Sequence, residues 1–161
     1  MNERIYNTLF LCTGNSARSQ IAEALLNSMG NGRFKAYSAG SQPSGSVQPL
    51  AAELIAQLGV PTGSLRSKGW DEFAGPDAPE MDLVITVCDN AAGEACPVWP
   101  GHPAVAHWGV PDPALTPRDR QAFRNAWLTL RRRIELLLAL PLDKLDRLAR
   151  EQQLRQIAQE N

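Results

Sequence analysis

Cys12 and Arg18 enclose the loop Cys12-Thr13-Gly14-Asn15-Ser16-Ala17-Arg18. A thiol and a guanidinium at that spacing can act together on a bound anion. Gly14, Asn15 and Ser16 are small or turn-forming, so successive backbone N–H groups can curl round one tetrahedral oxyanion at a helix N-terminus. Arg18 supplies a planar fork of donors for two oxygens, while the loop amides of Thr13, Gly14, Asn15, Ser16, Ala17 and Arg18 complete the cradle. The same positive charge and the helix dipole lower the pKa of Cys12, making it a thiolate nucleophile. The C-x5-R spacing alone is a weak signal, because a buried strand-end cysteine before an ordinary Gly-Asn turn would match it equally well. The surrounding elements carry the weight.

Ile5 to Leu11 is a short run of β-branched, aromatic and leucine residues that breaks into a glycine-containing turn, the pattern of a buried strand. From Ser19, residues Ile21, Ala22, Leu25, Leu26 and Met29 recur at helical spacing, with Ser19 as N-cap or first-turn residue and Gly30 as the stop. Cys12 therefore falls between a strand and a helix. Phe34 to Ser38 reads as a second strand. Leu50, Leu54, Ile55 and Leu58 form the apolar face of a second helix closed by Gly59 and Pro61. Leu83 to Val87 and Ala104 to His107 are the third and fourth strands. A long helix follows from about Thr116 to Leu140, with Phe123, Trp127, Leu130, Ile134, Leu137 and Leu138 on one side. Pro141 ends it, and a further amphipathic helix carries Leu142, Leu145, Leu148, Leu154 and Ile157. Strands alternating with helices predict an α/β fold, a four-stranded parallel sheet flanked by helices on both faces, with ligands bound at the carboxyl ends of the strands. Residues 1–140 form the main domain and residues 141–161 a C-terminal helical extension, packed on that domain or extending from it.

The bulk numbers agree with one compact domain: 161 residues can bury a continuous core without staples. A net charge of −1 gives no general attraction to nucleic acid or membrane, so any anion must be held by a local field. The N-terminus has no secretory pattern and no stretch is long enough to cross a bilayer, which predicts a cytoplasmic protein. Three cysteines in a reducing compartment fit catalytic or redox thiols better than a structural framework.

The stretch Leu11-Cys12-Thr13-Gly14-Asn15-Ser16-Ala17-Arg18-Ser19-Gln20 resembles the active loop of low-molecular-weight tyrosine phosphatases and the arsenate reductases related to them, with the likeness running from about residue 5 to 140. Ala17 departs from the pattern, since many members carry a second cysteine there. The resemblance implies a general acid in an Asp-Pro pair after the last strand, which points to Asp112 in His107-Trp108-Gly109-Val110-Pro111-Asp112-Pro113. Taken alone, an Asp-Pro pair is more often a turn. Ser19 either stabilises the Cys12 thiolate by a hydrogen bond or serves as a helix cap.

Ester hydrolysis and arsenate reduction both begin with a thiolate attacking a tetrahedral oxyanion, so the remaining thiols must choose between them. Cys88 follows the third strand, on the same sheet edge as Cys12, and Cys96 follows a short polar segment. Thr86-Val87-Cys88-Asp89-Asn90-Ala91-Ala92-Gly93-Glu94-Ala95-Cys96-Pro97 is similar to the redox segment of phosphatase-like arsenate reductases. That likeness implies a relay: Cys88 attacks Cys12 as arsenite leaves, and Cys96 then forms the final disulfide with Cys88. Individually either cysteine could be a small buried hydrophobe, and a zinc site is poorly supported because the C-x2-C spacing is missing.

The relay requires no metal and no organic cofactor, only arsenate and an external thiol reductant, a thioredoxin or glutaredoxin/glutathione system. The family also implies a potassium site near Asn15, Glu23 and Ser38, where Lys68 could supply the positive charge instead. Trp70, Trp99, Trp108 and Trp127 read as packing residues, and Arg131-Arg132-Arg133 as a solvated helix face. The rival functions are a phosphatase acting on phosphate monoesters and an oxyanion sensor that never turns over.

Overall fold

The computed structural model describes residues 4–59, 65–87, 102–111, 113 and 119–159. Four strands, β1 (Tyr6–Leu11), β2 (Phe34–Ala39), β3 (Leu83–Thr86) and β4 (Ala104–His107), pair in parallel in the order β2-β1-β3-β4. The helices are α1 (Arg18–Met29), α2 (Pro49–Ala56), α3 (Arg120–Leu138) and α4 (Arg147–Gln159). This agrees with the predicted architecture, and the strand limits shift by one residue at most.

Alternation along β1 sorts the core into two layers. Tyr6, Phe10 and Cys12 face one cluster together with Ile21, Leu25 and Leu26 of α1, Phe123, Leu130 and Ile134 of α3, and Leu154 and Ile157 of α4. Leu9 and Leu11 face the other, with Phe73 of the 3-10 helix Trp70–Phe73, Met81 and Val84. Each fully buried Leu or Ile contributes roughly 1.5–3 kcal/mol, so α1 is held mainly by its sheet-facing stripe.

The ends of α1 agree with expectation, Ser19 falling in its first turn and Gly30 at its C-cap, and the detail is informative. Ser19 lies inside the first turn of α1, and the capping position is Ala17, which offers no side-chain hydrogen bond. The stop Gly30 is in the ordinary right-handed conformation, while α2 ends earlier than expected, at Ala56 with Gln57 as its C-cap, and the expected stop Gly59 follows in a turn at φ +86°. Helix α3 begins at Arg120, capped by Asp119, whose carboxylate accepts from the amides of Gln121 and Ala122. The stretch from Thr116, where its start was expected, lies outside the described residues, as does Pro61.

Several sequence expectations fail. Leu142 and Leu145, expected on the C-terminal helix, precede it, Leu142 in the 3-10 helix Leu142–Lys144 and Leu145 at the end of that turn. Arg133 does not share a solvated face with Arg131 and Arg132: it is 6% exposed, because helical rotation turns it inward among Leu130, Ile134 and Leu137. Leu148 is 64% exposed and contributes nothing to the buried side of α4. Helix α4 packs along the outer strand, where Glu151 accepts the edge amide of Val105 at 2.9 Å and blunts the free edge of the sheet. No helix among the described residues is long and apolar enough to cross a membrane.

Candidate active site

The strand order reverses direction between β1 and β3, the switch point at whose carboxyl ends open parallel sheets bind their ligands. Cys12 is the first residue beyond β1; it is buried, and its amide donates to Ala39 at 3.1 Å. The loop after it has its carbonyls turned outward. Thr13 O accepts from Gln42 N at 3.0 Å, Gly14 O from Ser44 N at 3.0 Å and Ser67 Oγ at 3.0 Å, and Ser16 O from Gln48 N at 2.8 Å. Ala17 O takes the first α1 bond from Ile21 N at 2.9 Å. The amides of Gly14, Asn15, Ser16 and Ala17, by contrast, donate to no acceptor among the described residues. With the α1 N-terminus lacking a side-chain cap, these donors are available to a tetrahedral anion.

Asn15 gives the loop its shape. It is fully buried with φ +48°, a left-handed conformation that asparagine tolerates better than most residues. Its Oδ1 accepts from Lys68 N at 2.9 Å and Gln20 Nε2 at 2.9 Å, and its Nδ2 donates to Ser19 Oγ at 2.8 Å. Because Ser19 Oγ is the acceptor in that bond, its own proton remains to be donated elsewhere. Behind the loop, the Lys68 ammonium lies 3.3 Å from Ser38 Oγ and 3.6 Å from Glu23 Oε1, while Ser38 Oγ donates to Glu23 at 2.8 Å. A protein-borne cation thus sits among two of the three side chains expected at a potassium site, and the third, Asn15, is bonded to the Lys68 backbone. Burial pushes the Lys68 pKa below the ordinary lysine value, an effect Glu23 partly offsets.

The loop that follows β4 meets the Cys12 to Arg18 loop through Arg18. Trp108 is fully buried; its amide donates to Thr86 O at 2.7 Å and its indole N–H to Leu154 O of α4 at 3.0 Å. Val110 N donates to Val87 O at 3.1 Å, and Val110 O accepts from Arg18 Nη1 at 2.8 Å. One nitrogen of the Arg18 fork is therefore committed to this loop. At the ends of β3 and β4, Thr86 Oγ1 and His107 Nδ1 share a hydrogen bond of 2.7 Å. Of the expected site residues, Cys12 through Ser19 are brought together as one unit; Asp112, Cys88 and Cys96, together with Trp99, lie outside the described residues.

Sequence reasoning missed several supports of the loop. A Cβ built on Gly40 would come within 2.4 Å of Thr13 O and 2.7 Å of Cys12 O, so only glycine lets the chain after β2 press against the nucleophile's loop. Ser67 and Gln20 brace the loop from outside, the latter also donating to Asn15 O at 3.2 Å and Arg66 O at 2.8 Å. The run of small residues Ser38-Ala39-Gly40-Ser41 was the available signal for Gly40; Ser67 carries no local signal.

Comparison with known proteins agrees with this geometry. The family model for low molecular weight phosphotyrosine protein phosphatase matches residues 7–154. An arsenate reductase of Bacillus subtilis is 39% identical over 125 residues, covering 76% of this chain and 84% of that protein. The crystal structure of the arsenate reductase from Archaeoglobus fulgidus superposes with a TM-score of 0.66 at 31% identity, covering 83% of this chain and 99% of that one. A thioredoxin-dependent arsenate reductase of Corynebacterium glutamicum gives a TM-score of 0.60 at 25% identity over 89% of this chain and 66% of its own. A buried cysteine at the start of a loop whose carbonyls are bonded to the surrounding chain and whose Gly14 to Ala17 amides donate to no acceptor among the described residues, on a chain matched over nearly its whole length, identifies this protein as a member of the low-molecular-weight phosphotyrosine protein phosphatase family, within its arsenate reductase group.

Proposed function

We propose that this enzyme reduces arsenate to arsenite through a relay of its three cysteines. Arsenate binds to the amides of Gly14 to Ala17 and to Arg18, and the Cys12 thiolate attacks arsenic. Asp112 protonates the departing oxygen, which leaves as water and yields a Cys12–arsenic(V) thioester. The Cys88 thiolate then attacks the Cys12 sulfur. The S–As bond breaks with its electron pair going to arsenic, so arsenic(III) leaves as arsenite and a Cys12–Cys88 disulfide remains. Cys96 attacks Cys88, releasing the Cys12 thiolate and leaving a Cys88–Cys96 disulfide for an external dithiol to reduce. Ser19, with a proton to donate, stabilises the resting thiolate.

The observation that carries the oxyanion chemistry is the set of inward amides beside Cys12. Support for pairing Cys12 with Cys88 comes from register: Val87 N donates to Leu11 O at 2.8 Å, and the two cysteines are the next residues in each stretch of chain. The thioredoxin dependence of the Corynebacterium glutamicum relative favours a thioredoxin as the donor. Arsenate-dependent turnover with a thioredoxin system is expected to be abolished in Cys88→Ser, while slow hydrolysis of an arylphosphate survives. Turnover of arsenate by Cys88→Ser would rule out the relay, and fast ester hydrolysis without arsenate turnover would favour a phosphatase instead.

A further inference from the structure

The outward carbonyls of the anion loop are not all held alike. Thr13 O, Gly14 O and Ser16 O each accept from a backbone amide, those of Gln42, Ser44 and Gln48. Among the described residues Asn15 O accepts only from a side chain, Nε2 of Gln20 at 3.2 Å. A trans peptide sets its C=O and its N–H on opposite sides of one plane, so whatever holds a carbonyl outward aims the amide of the next residue inward. Holding Asn15 O therefore aims the amide of Ser16.

Gln20 is 1% exposed in the first turn of α1, and the same Nε2 donates to Asn15 Oδ1 at 2.9 Å and to Arg66 O at 2.8 Å. One amide nitrogen thus grips Asn15 by its backbone and side-chain oxygens and ties both to the chain at Arg66. Asn15 stands at φ +48°, and a left-handed residue persists only where its surroundings hold it. We infer that Gln20 is a positioning residue for oxyanion binding: by holding Asn15 O it directs the Ser16 N–H into the cradle beside Cys12. This rests on the loop being the oxyanion site, as proposed above, and is independent of the cysteine relay.

The test uses the reduced full-length protein and inorganic phosphate, a tetrahedral probe that the thiols do not reduce. In the wild type, phosphate should shift the backbone amide resonances of Gly14, Asn15, Ser16 and Ala17. In Gln20→Met, which keeps the length of the side chain without its donor, the Ser16 response should be lost while those of Gly14 and Ala17 persist. The Kd for phosphate by calorimetry should rise by about tenfold or more, the scale of one lost hydrogen bond to a charged group. Gln20→Glu, isosteric but turning a carboxylate toward carbonyl oxygens, should weaken binding at least as much; it carries the test if the methionine variant does not fold. Leu137→Ala empties core at the end of α3 that meets Arg33, so it should lower Tm and leave the Kd unchanged. A Ser16 response that survives in a folded Gln20 variant, or a Kd that rises as much in Leu137→Ala, would overturn the positioning role alone. A wild type whose loop amides do not respond to phosphate would overturn the oxyanion site, and the inference with it.

Discussion

Asn15 and Lys68 show at the level of single side chains how a cluster expected from the family resemblance is held together. Asn15 spends both ends of its amide on Ser19, Gln20 and Lys68, which holds a left-handed residue inside the anion loop. Lys68 places an ammonium where Glu23 and Ser38 converge. Lys68→Ala should leave that carboxylate without its partner, cost about 1–3 kcal/mol by chemical denaturation, and raise the KM for arsenate. Added potassium should recover much of the affinity by refilling the space; no response to potassium in the variant would count against the cation role. The pH dependence follows from the depressed Lys68 pKa. Between that value and the ordinary lysine value the unfolded chain holds the proton and the folded chain does not, so this group makes stability rise with pH across that window. Activity should fall across the same window as the ammonium is lost, and the fall should disappear in Lys68→Ala assayed with potassium. Paired measurements of Tm and kcat/KM against alkaline pH separate this from general alkaline unfolding, which lowers both.

At the scale of elements, the contrast between two helix starts is instructive. Asp119 caps α3 from within the chain, whereas α1 begins at Ala17 with no side-chain cap and leaves its first amides for an anion. The segment after β2 must then approach the loop closely, and Gly40 allows it. Gly40→Ala forces a Cβ against Thr13 and Cys12 carbonyls, so the loop must move. The expected result is a loss of about 10- to 100-fold in kcat/KM for arsenate, larger than its effect on Tm implies; an unchanged kcat/KM would show that the loop tolerates the shift. Helix α4 is more than an appendage, since Leu154 is fully buried and its carbonyl accepts the Trp108 indole. Leu154→Ala should cost about 2–5 kcal/mol in urea unfolding, and a cost well under 1 kcal/mol would mean that α4 contributes little to the core.

Across the whole molecule, the sheet order puts Cys12, the end of β3 and the loop after β4 at one carboxyl edge of the sheet. Strand and helix identities were legible because buried strands read as apolar runs and α1 and α3 repeat their apolar residues at helical spacing. The Cys12 to Arg18 loop was legible because its groups are contiguous: thiol, amides and guanidinium lie within one short stretch of chain. Arg133 was misread because one basic residue among three gives no local sign of which one faces inward; only the packing of α3 against the core decides that. Gly40, Ser67 and Gln20 were missed for a related reason, since each matters through an atom distant in sequence. The sequence by itself determined an α/β fold with a cysteine, small turn-forming residues and an arginine on one loop after β1. The tertiary structure alone decided which groups brace that loop, how closely the Lys68 ammonium meets Glu23 and Ser38, and which arginine is buried, because those depend on side chains meeting across elements that sequence spacing does not relate.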